Sequence, residues 1–381
     1  MMTMILLLVL ALLIPVPESH AQPTPVECPL PLYQLPLQAP ERSVVDDAGA
    51  LSVDGTPVEL PEGLTVRHHL WSDDGEVLLI SATAPEFDSR VFAYRDGTLT
   101  EILGADELLG LRAEGFKEAV TIYDAVFVPG THTVLFNTEL LTDGNGIYVE
   151  IPSDLWSLDL DSGELSGILT DGEGGEIHVA PDGSTVVLLG YDFIRQLDLD
   201  GGNARTLFEG TVAIGVSHGA AYPDLVWDNE ADIPTFRVLL LPAFDPNIGN
   251  FDVPFEVHEF VLGAEVESRL IFDGPSEFLP LGRLSPDGNS VAQWAWLDAS
   301  ATQNPSFDVT VLRPDAEPFL LASVQISTNG VTPFIRWDDP MHLTYGYIDT
   351  ENTITSWRAD LCGEITELEP YQSSMAEILS R

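Results

Sequence analysis

Arg283-Leu284-Ser285-Pro286-Asp287-Gly288-Asn289-Ser290-Val291-Ala292-Gln293-Trp294 is a short run into a Ser-Pro-Asp-Gly turn, followed by a second apolar run. The turn can be read from its letters. Proline pre-sets the first central φ, aspartate bonds back to the backbone, and glycine accepts positive φ. The pattern returns as Trp71-Ser72-Asp73-Asp74-Gly75 and Ala180-Pro181-Asp182-Gly183. Weaker copies are Val128-Pro129-Gly130, Trp227-Asp228-Asn229 and Trp337-Asp338-Asp339. Markers at 73, 129, 181, 228, 286 and 338 lie 56, 52, 47, 58 and 52 residues apart, a period regular within loop-length variation. Each turn leads into a strand such as Val77 to Ile80 or Val186 to Leu189, and then into a second hairpin with a polar tip. Leu155 to Leu160 turns at Asp161-Ser162-Gly163, and Ile194 to Leu199 turns at Asp200-Gly201-Gly202.

Four strands in a unit of about fifty residues is the count of a β-propeller blade. The expected fold is therefore all-β: a six-bladed β-propeller over residues 65–370, with four antiparallel strands per blade. Residues 22–64 form an N-terminal extension that could supply a closing strand, and 371–381 form a C-terminal tail. A seventh, degenerate blade is the alternative. Helical periodicity is confined to Ala105 to Gly115, inside an insertion.

The Ser-Pro-Asp-Gly turns, with the Leu-Asp-Leu-Asp-Gly-Gly hairpin at Leu197 to Gly202, resemble the TolB-like six-bladed propellers. The same WD-type repeat occurs in the propeller domains of prolyl-oligopeptidase-type enzymes. The resemblance covers roughly Thr65 to Pro370 and is specific for the repeat rather than for an activity, because this fold serves binding proteins and enzymes alike. The unit starting near Ala221 departs most, with Asp-Asn-Glu at its turn and a Pro-rich excursion from Leu241 to Phe255.

Composition narrows the partners. The 381 residues carry 61 Asp and Glu against 15 Lys and Arg, a formal charge of −46, which opposes both nucleic acid and anionic lipid. The expected partner is a protein or a small polar ligand, and no cofactor or metal is expected. Ile5 to Val16 is an apolar run too short to span a bilayer. With Ser19-His20-Ala21 behind it, the run fits a signal peptide over 1–21, although no basic residue precedes it. The mature chain is expected to be exported, periplasmic or extracellular, with no stable membrane insertion. In an oxidising compartment Cys28 and Cys362, near its two ends, would suit a disulfide.

Chemical motifs are sparse. Gly215-Val216-Ser217-His218-Gly219 fits G-x-S-x-G in letters, but no helix-forming stretch follows the serine as a nucleophile elbow requires. The Asp-rich hairpin tips at 159–163 and 198–201 lack the closing glutamate of a calcium loop. Trp294 and Trp296 share a strand face and could form a binding platform. The main candidate follows from the fold, since the first strand of each propeller blade lines the central channel. Polar residues on those strands are His68, His69, Asp124, Glu176, His178, Asp224, Arg283 and Arg336. Alternation predicts that about half face the channel, and His68 and His69 should point to opposite sides. The function expected is a ligand-binding or protein-interaction scaffold. A hydrolase or lyase with its site at the channel mouth is the alternative. A channel enzyme predicts perturbed acids and histidines there, and a docking scaffold predicts an apolar patch on one face.

Overall fold

A computed structural model describes residues 42–46, 49–84, 88–111, 119–141, 154–170, 172–216, 219–241, 253–275, 282–297, 306–326, 331–351 and 353–372. Among these residues the strands assemble into seven antiparallel sheets in chain order, plus a two-stranded ribbon at 214–221. The first sheet, residues 43–57, has three strands. The second (65–103), third (119–169), fourth (176–209), fifth (225–274) and sixth (283–325) have four each, and the seventh (332–372) has five.

Each sheet packs on the next through a separate apolar cluster, six in succession from the first sheet to the seventh. The second strands show why their sequences read as continuous apolar runs. Val187 and Leu189 face the fifth sheet while Val186 and Leu188 face the third. Leu78 and Ile80 face the first sheet, whereas Val77 and Leu79 face the third. A strand buried on both faces has no polar side to alternate with. In the second to sixth sheets the pairing of the third and fourth strands slips at one bulge, the device that increases twist in an antiparallel pair. Sheets stacked in series around one cavity, each presenting its first strand to it, make a β-propeller.

The repeated turns join the first and second strands as their spacing predicts. Gly75, Gly183 and Gly288 take φ of 68°, 68° and 66°, and each donates its N–H to the residue three before it. Ser72 and Ser285 give their hydroxyls to Asp74 and Asp287 and accept the N–H of Val77 and Ser290. The neighbouring sheet presses on these turns. The Arg42 guanidinium donates to the Gly75 carbonyl at 2.7 Å, and Arg237 donates to the Asp287 carbonyl at 3.2 Å and to Asn289 Oδ1 at 2.6 Å.

Three expectations change. The six-bladed reading gives way to seven sheets, because residues 43–57 pair with one another and pack on the second sheet instead of lending a strand to the last. Tyr371–Gln372, expected in the tail, pairs with the strand Thr353–Asp360. The helix at 105 is a single turn, Ala105–Leu109, whose Leu108 is buried between the second and third sheets. Residues 1–21 and Cys28 lie outside the described residues. Cys362 sits in the turn after Asp360, its N–H held by Asp360 Oδ1. No helix among the described residues is long and apolar enough to cross a membrane.

Candidate ligand site in the central channel

The seven first strands surround a cavity of about 1570 Å³. All eight residues singled out above line it: His68 and His69 from the second sheet, Asp124 from the third, Glu176 and His178 from the fourth, Asp224 beside the fifth, Arg283 from the sixth and Arg336 from the seventh. Simple alternation predicted half of them. Two irregularities account for part of the excess: the register slips between Val66 and His68 and between Ile122 and Ala125, releasing neighbouring side chains from strict opposition. Arg42, Arg67 and Tyr222 also line the cavity and were not anticipated. Tyr222 could have been found from its place two residues before Asp224, at strand spacing.

Charge in the channel is unevenly settled. Each lining arginine has a carboxylate: Arg283 Nη1 lies 2.8 Å from Asp224, Arg67 2.6 Å from Glu139, Arg336 3.3 Å from Asp338 and Arg42 3.7 Å from Asp54. Asp224 also accepts the Leu284 N–H at 2.9 Å, and the Arg283 carbonyl accepts Trp337 Nε1 at 2.9 Å, so fifth, sixth and seventh sheets are stitched in sequence. Trp71 makes the same kind of bond to Ser43 Oγ of the first sheet, at 3.1 Å.

The third and fourth sheets present the opposite condition. Asp124 accepts the N–H of Ala125 at 2.8 Å and that of Ile177, and burial beside Glu176 pushes its carboxyl above the usual range. Glu176 Oε2, His178 Nε2 and Tyr222 OH are buried without a hydrogen-bond partner. His178 Nε2 stands 3.8 Å from the other Glu176 oxygen, too far for a hydrogen bond. Desolvation, with Tyr123 and Glu176 nearby, raises the Tyr222 phenol. On the second sheet, next to the third, His68 retains accessible surface but is enclosed by the concave wall. Desolvation, then Arg67 and His69, lower its pKa to about 4, so it is neutral at pH 7.

The remaining motifs are structural. Residues 214–216 and 219–221 pair as a ribbon, so the chain continues as a strand where a nucleophile elbow needs a helix; Ser217 and His218 lie outside the described residues. Asp159 Oδ1 is used by the N–H groups of Asp161 and Ser162 and by the Ser162 hydroxyl. Trp294 and Trp296 pack edge-on against each other and Phe307 at the interface of the sixth and seventh sheets, rather than forming an open platform.

No family model and no curated protein matches the chain. Its fold is similar to that of solved propellers at low identity. An oligogalacturonate lyase in complex with manganese is 13% identical, with a TM-score of 0.44 over 68% of this chain and 71% of that one. A prolyl endopeptidase is also 13% identical, with a TM-score of 0.47; the likeness covers 82% of this chain but 43% of that protein. The β-propeller domain of the Trilobed protease from Pyrococcus furiosus is 9% identical, with a TM-score of 0.43 over 81% and 84%. These likenesses concern the fold alone, and no activity follows from them.

Proposed function

We propose that the chain is an exported binding protein whose ligand, a small polar molecule, sits in the central channel. The observation that carries this reading is the set of buried, unpartnered polar atoms of Glu176, His178 and Tyr222, three residues that line one cavity. A buried polar group without a partner costs about 1–3 kcal/mol, so a ligand that pairs with it regains that cost. The described large apolar side chains that remain exposed are scattered from Val44 in the first sheet through Ile233 and Leu270 in the fifth and Leu320 in the sixth to Ile365 in the seventh, which favours the channel over a protein-docking face. Export rests on the signal-like segment, and a Cys28–Cys362 disulfide fits the same compartment. The turn motif supports kinship with TolB-like propellers, although seven sheets depart from that family's six. An enzyme working at the same place is the second reading, favoured by the raised Asp124 carboxyl beside Glu176 and the lowered His68.

A thermal-shift screen of the full-length chain against sugars, peptides and organic ions tests the site. A ligand bound only by the folded state raises the midpoint by mass action, and its affinity should fall in E176Q or R336A, one variant from each side of the channel. A hit indifferent to both variants lies elsewhere and defeats the reading.

A further inference from the structure

The acidic wall has a counterpart in the same molecule. Asp224 grips the N–H of Leu284, the second residue of the next sheet's first strand, and the residue before it, Arg283, neutralises the carboxylate at 2.8 Å. Asp124 likewise accepts from Ile177, the second residue of the next sheet's first strand, but the residue before that is Glu176. Arginine and glutamate thus occupy one repeat position. Where the fifth and sixth sheets close an ion pair, the third and fourth hold two carboxyl groups together. The channel's arginines are spoken for, and the negative charge left over is concentrated at Asp124 and Glu176.

We infer that this wall is a pocket for a primary or secondary ammonium group, held by Asp124 and Glu176 with Tyr222 and His178 as further hydrogen-bond partners. The inference rests on the channel being the ligand site. Its chemistry follows from the orphaned atoms. Glu176 Oε2 can only accept while ionised, Tyr222 OH can accept as well as donate, and His178 Nε2 accepts when it carries no proton. Three acceptors seek a ligand with several N–H donors, which a quaternary ammonium lacks. A metal ion fits less well: among the described residues the group whose ligand atoms come close enough to share one is Asp74, Glu76 and His132, outside the channel. The crowded carboxyl groups point to the same charge, since burial and Glu176 disfavour the Asp124 anion and a cation between the two would favour it.

The test uses putrescine, with succinate as a ligand of equal carbon number and opposite charge, tetramethylammonium as the cation without N–H, and manganese chloride. Affinities are measured by calorimetry on the full-length chain at physiological salt. Putrescine should bind, and E176Q should weaken it about tenfold or more, the loss expected of a charge-assisted hydrogen bond. E62Q, which removes one exposed surface charge, should leave it unchanged. E176Q is a safe probe because Oε2 supports no bond in the fold, and its melting transition verifies this; H178Q gives a second, uncharged check. Equal loss in E176Q and E62Q would mean diffuse attraction to an acidic protein and overturns the inference. So does tetramethylammonium binding as well as putrescine, or manganese binding that E176Q abolishes. Succinate binding that R336A weakens would overturn the ammonium assignment while keeping the channel as the ligand site. Failure of these probes and of the wider screen would remove both.

Discussion

Asp224 with Arg283 and Asp124 with Glu176 are two versions of one junction. In both, an aspartate ahead of or within a first strand crosses to a backbone N–H of the next sheet. In one the flanking residue is a cation that completes the contact, and the junction is part of the framework. In the other it is a like charge, and the junction keeps unsatisfied atoms at a cavity wall. The difference teaches that the fold needs the aspartate and its backbone bond at this place but does not need the acid-acid pair. A costly local choice in a repeated setting points to use rather than to architecture.

Breaking the completed junction should have the largest effect. D224A strips the carboxylate from Arg283 and leaves the Leu284 N–H unpaired. The side chain of Arg283 is 41% exposed, so the loss is set below that of a fully buried pair, at about 1–3 kcal/mol in chemical denaturation. A loss no larger than that of an ordinary surface substitution would dissolve the comparison. Rewriting the incomplete junction should act in the opposite direction. E176R supplies the cation found at 283 and should stabilise by up to about 1 kcal/mol, the scale of a partly exposed ion pair. Because the Asp124 carboxyl is raised in the folded chain, the contribution of this one group to stability declines as pH climbs from 3.8 through that raised value. E176R should flatten this decline, and a steeper one would refute the equivalence of the two positions.

A third contrast sets His178 against His132. His132 bridges sheets, with Nε2 3.1 Å from Asp74 and Nδ1 3.0 Å from Asp161, so both ring nitrogens have carboxylates. Its burial opposes the charge, but those carboxylates outweigh it and raise the pKa above 6.5. The stabilisation is thus complete below pH 6.5 and fades as pH rises through the raised value. H132Q should lose that pH dependence, a small effect because the two carboxylates are 50% and 55% exposed, readable in melting temperature between pH 6 and 8. H178Q should leave the melting temperature nearly unchanged, since His178 Nε2 makes no hydrogen bond in the fold, and a large loss would mean that it has a partner after all.

Much of this was legible in the letters. The six strand-turn-strand units were fixed by residues whose backbone roles are specific, such as Gly75, Gly183 and Gly288 at positive φ. The channel residues followed once the first strands were known. The first sheet was legible only as the alternative of a seventh, degenerate blade, because its strands are two or three residues long and its Asp54-Gly55 turn lacks the Ser-Pro-Asp-Gly letters. The share of polar residues reaching the cavity was not legible, because a bulge at Arg67 or around Tyr123-Asp124 depends on partner register rather than on local sequence. Tyr222 was overlooked because it precedes Pro223 outside the strand Leu225–Trp227, although its spacing of two from Asp224 was there to be read.

The bilateral burial of the second strands has an evolutionary corollary. Because Val186 to Leu189 spend both faces on core packing, selection has little room to vary them. The innermost strands, by contrast, contribute only a few side chains each to the wall. Specificity in such a molecule can therefore be rewritten one sheet at a time, like changing single letters on a ring. A substitution at 176 alters a seventh of the ring and leaves every apolar interface in place. Descendants of this chain could diverge in what they hold while melting at much the same temperature.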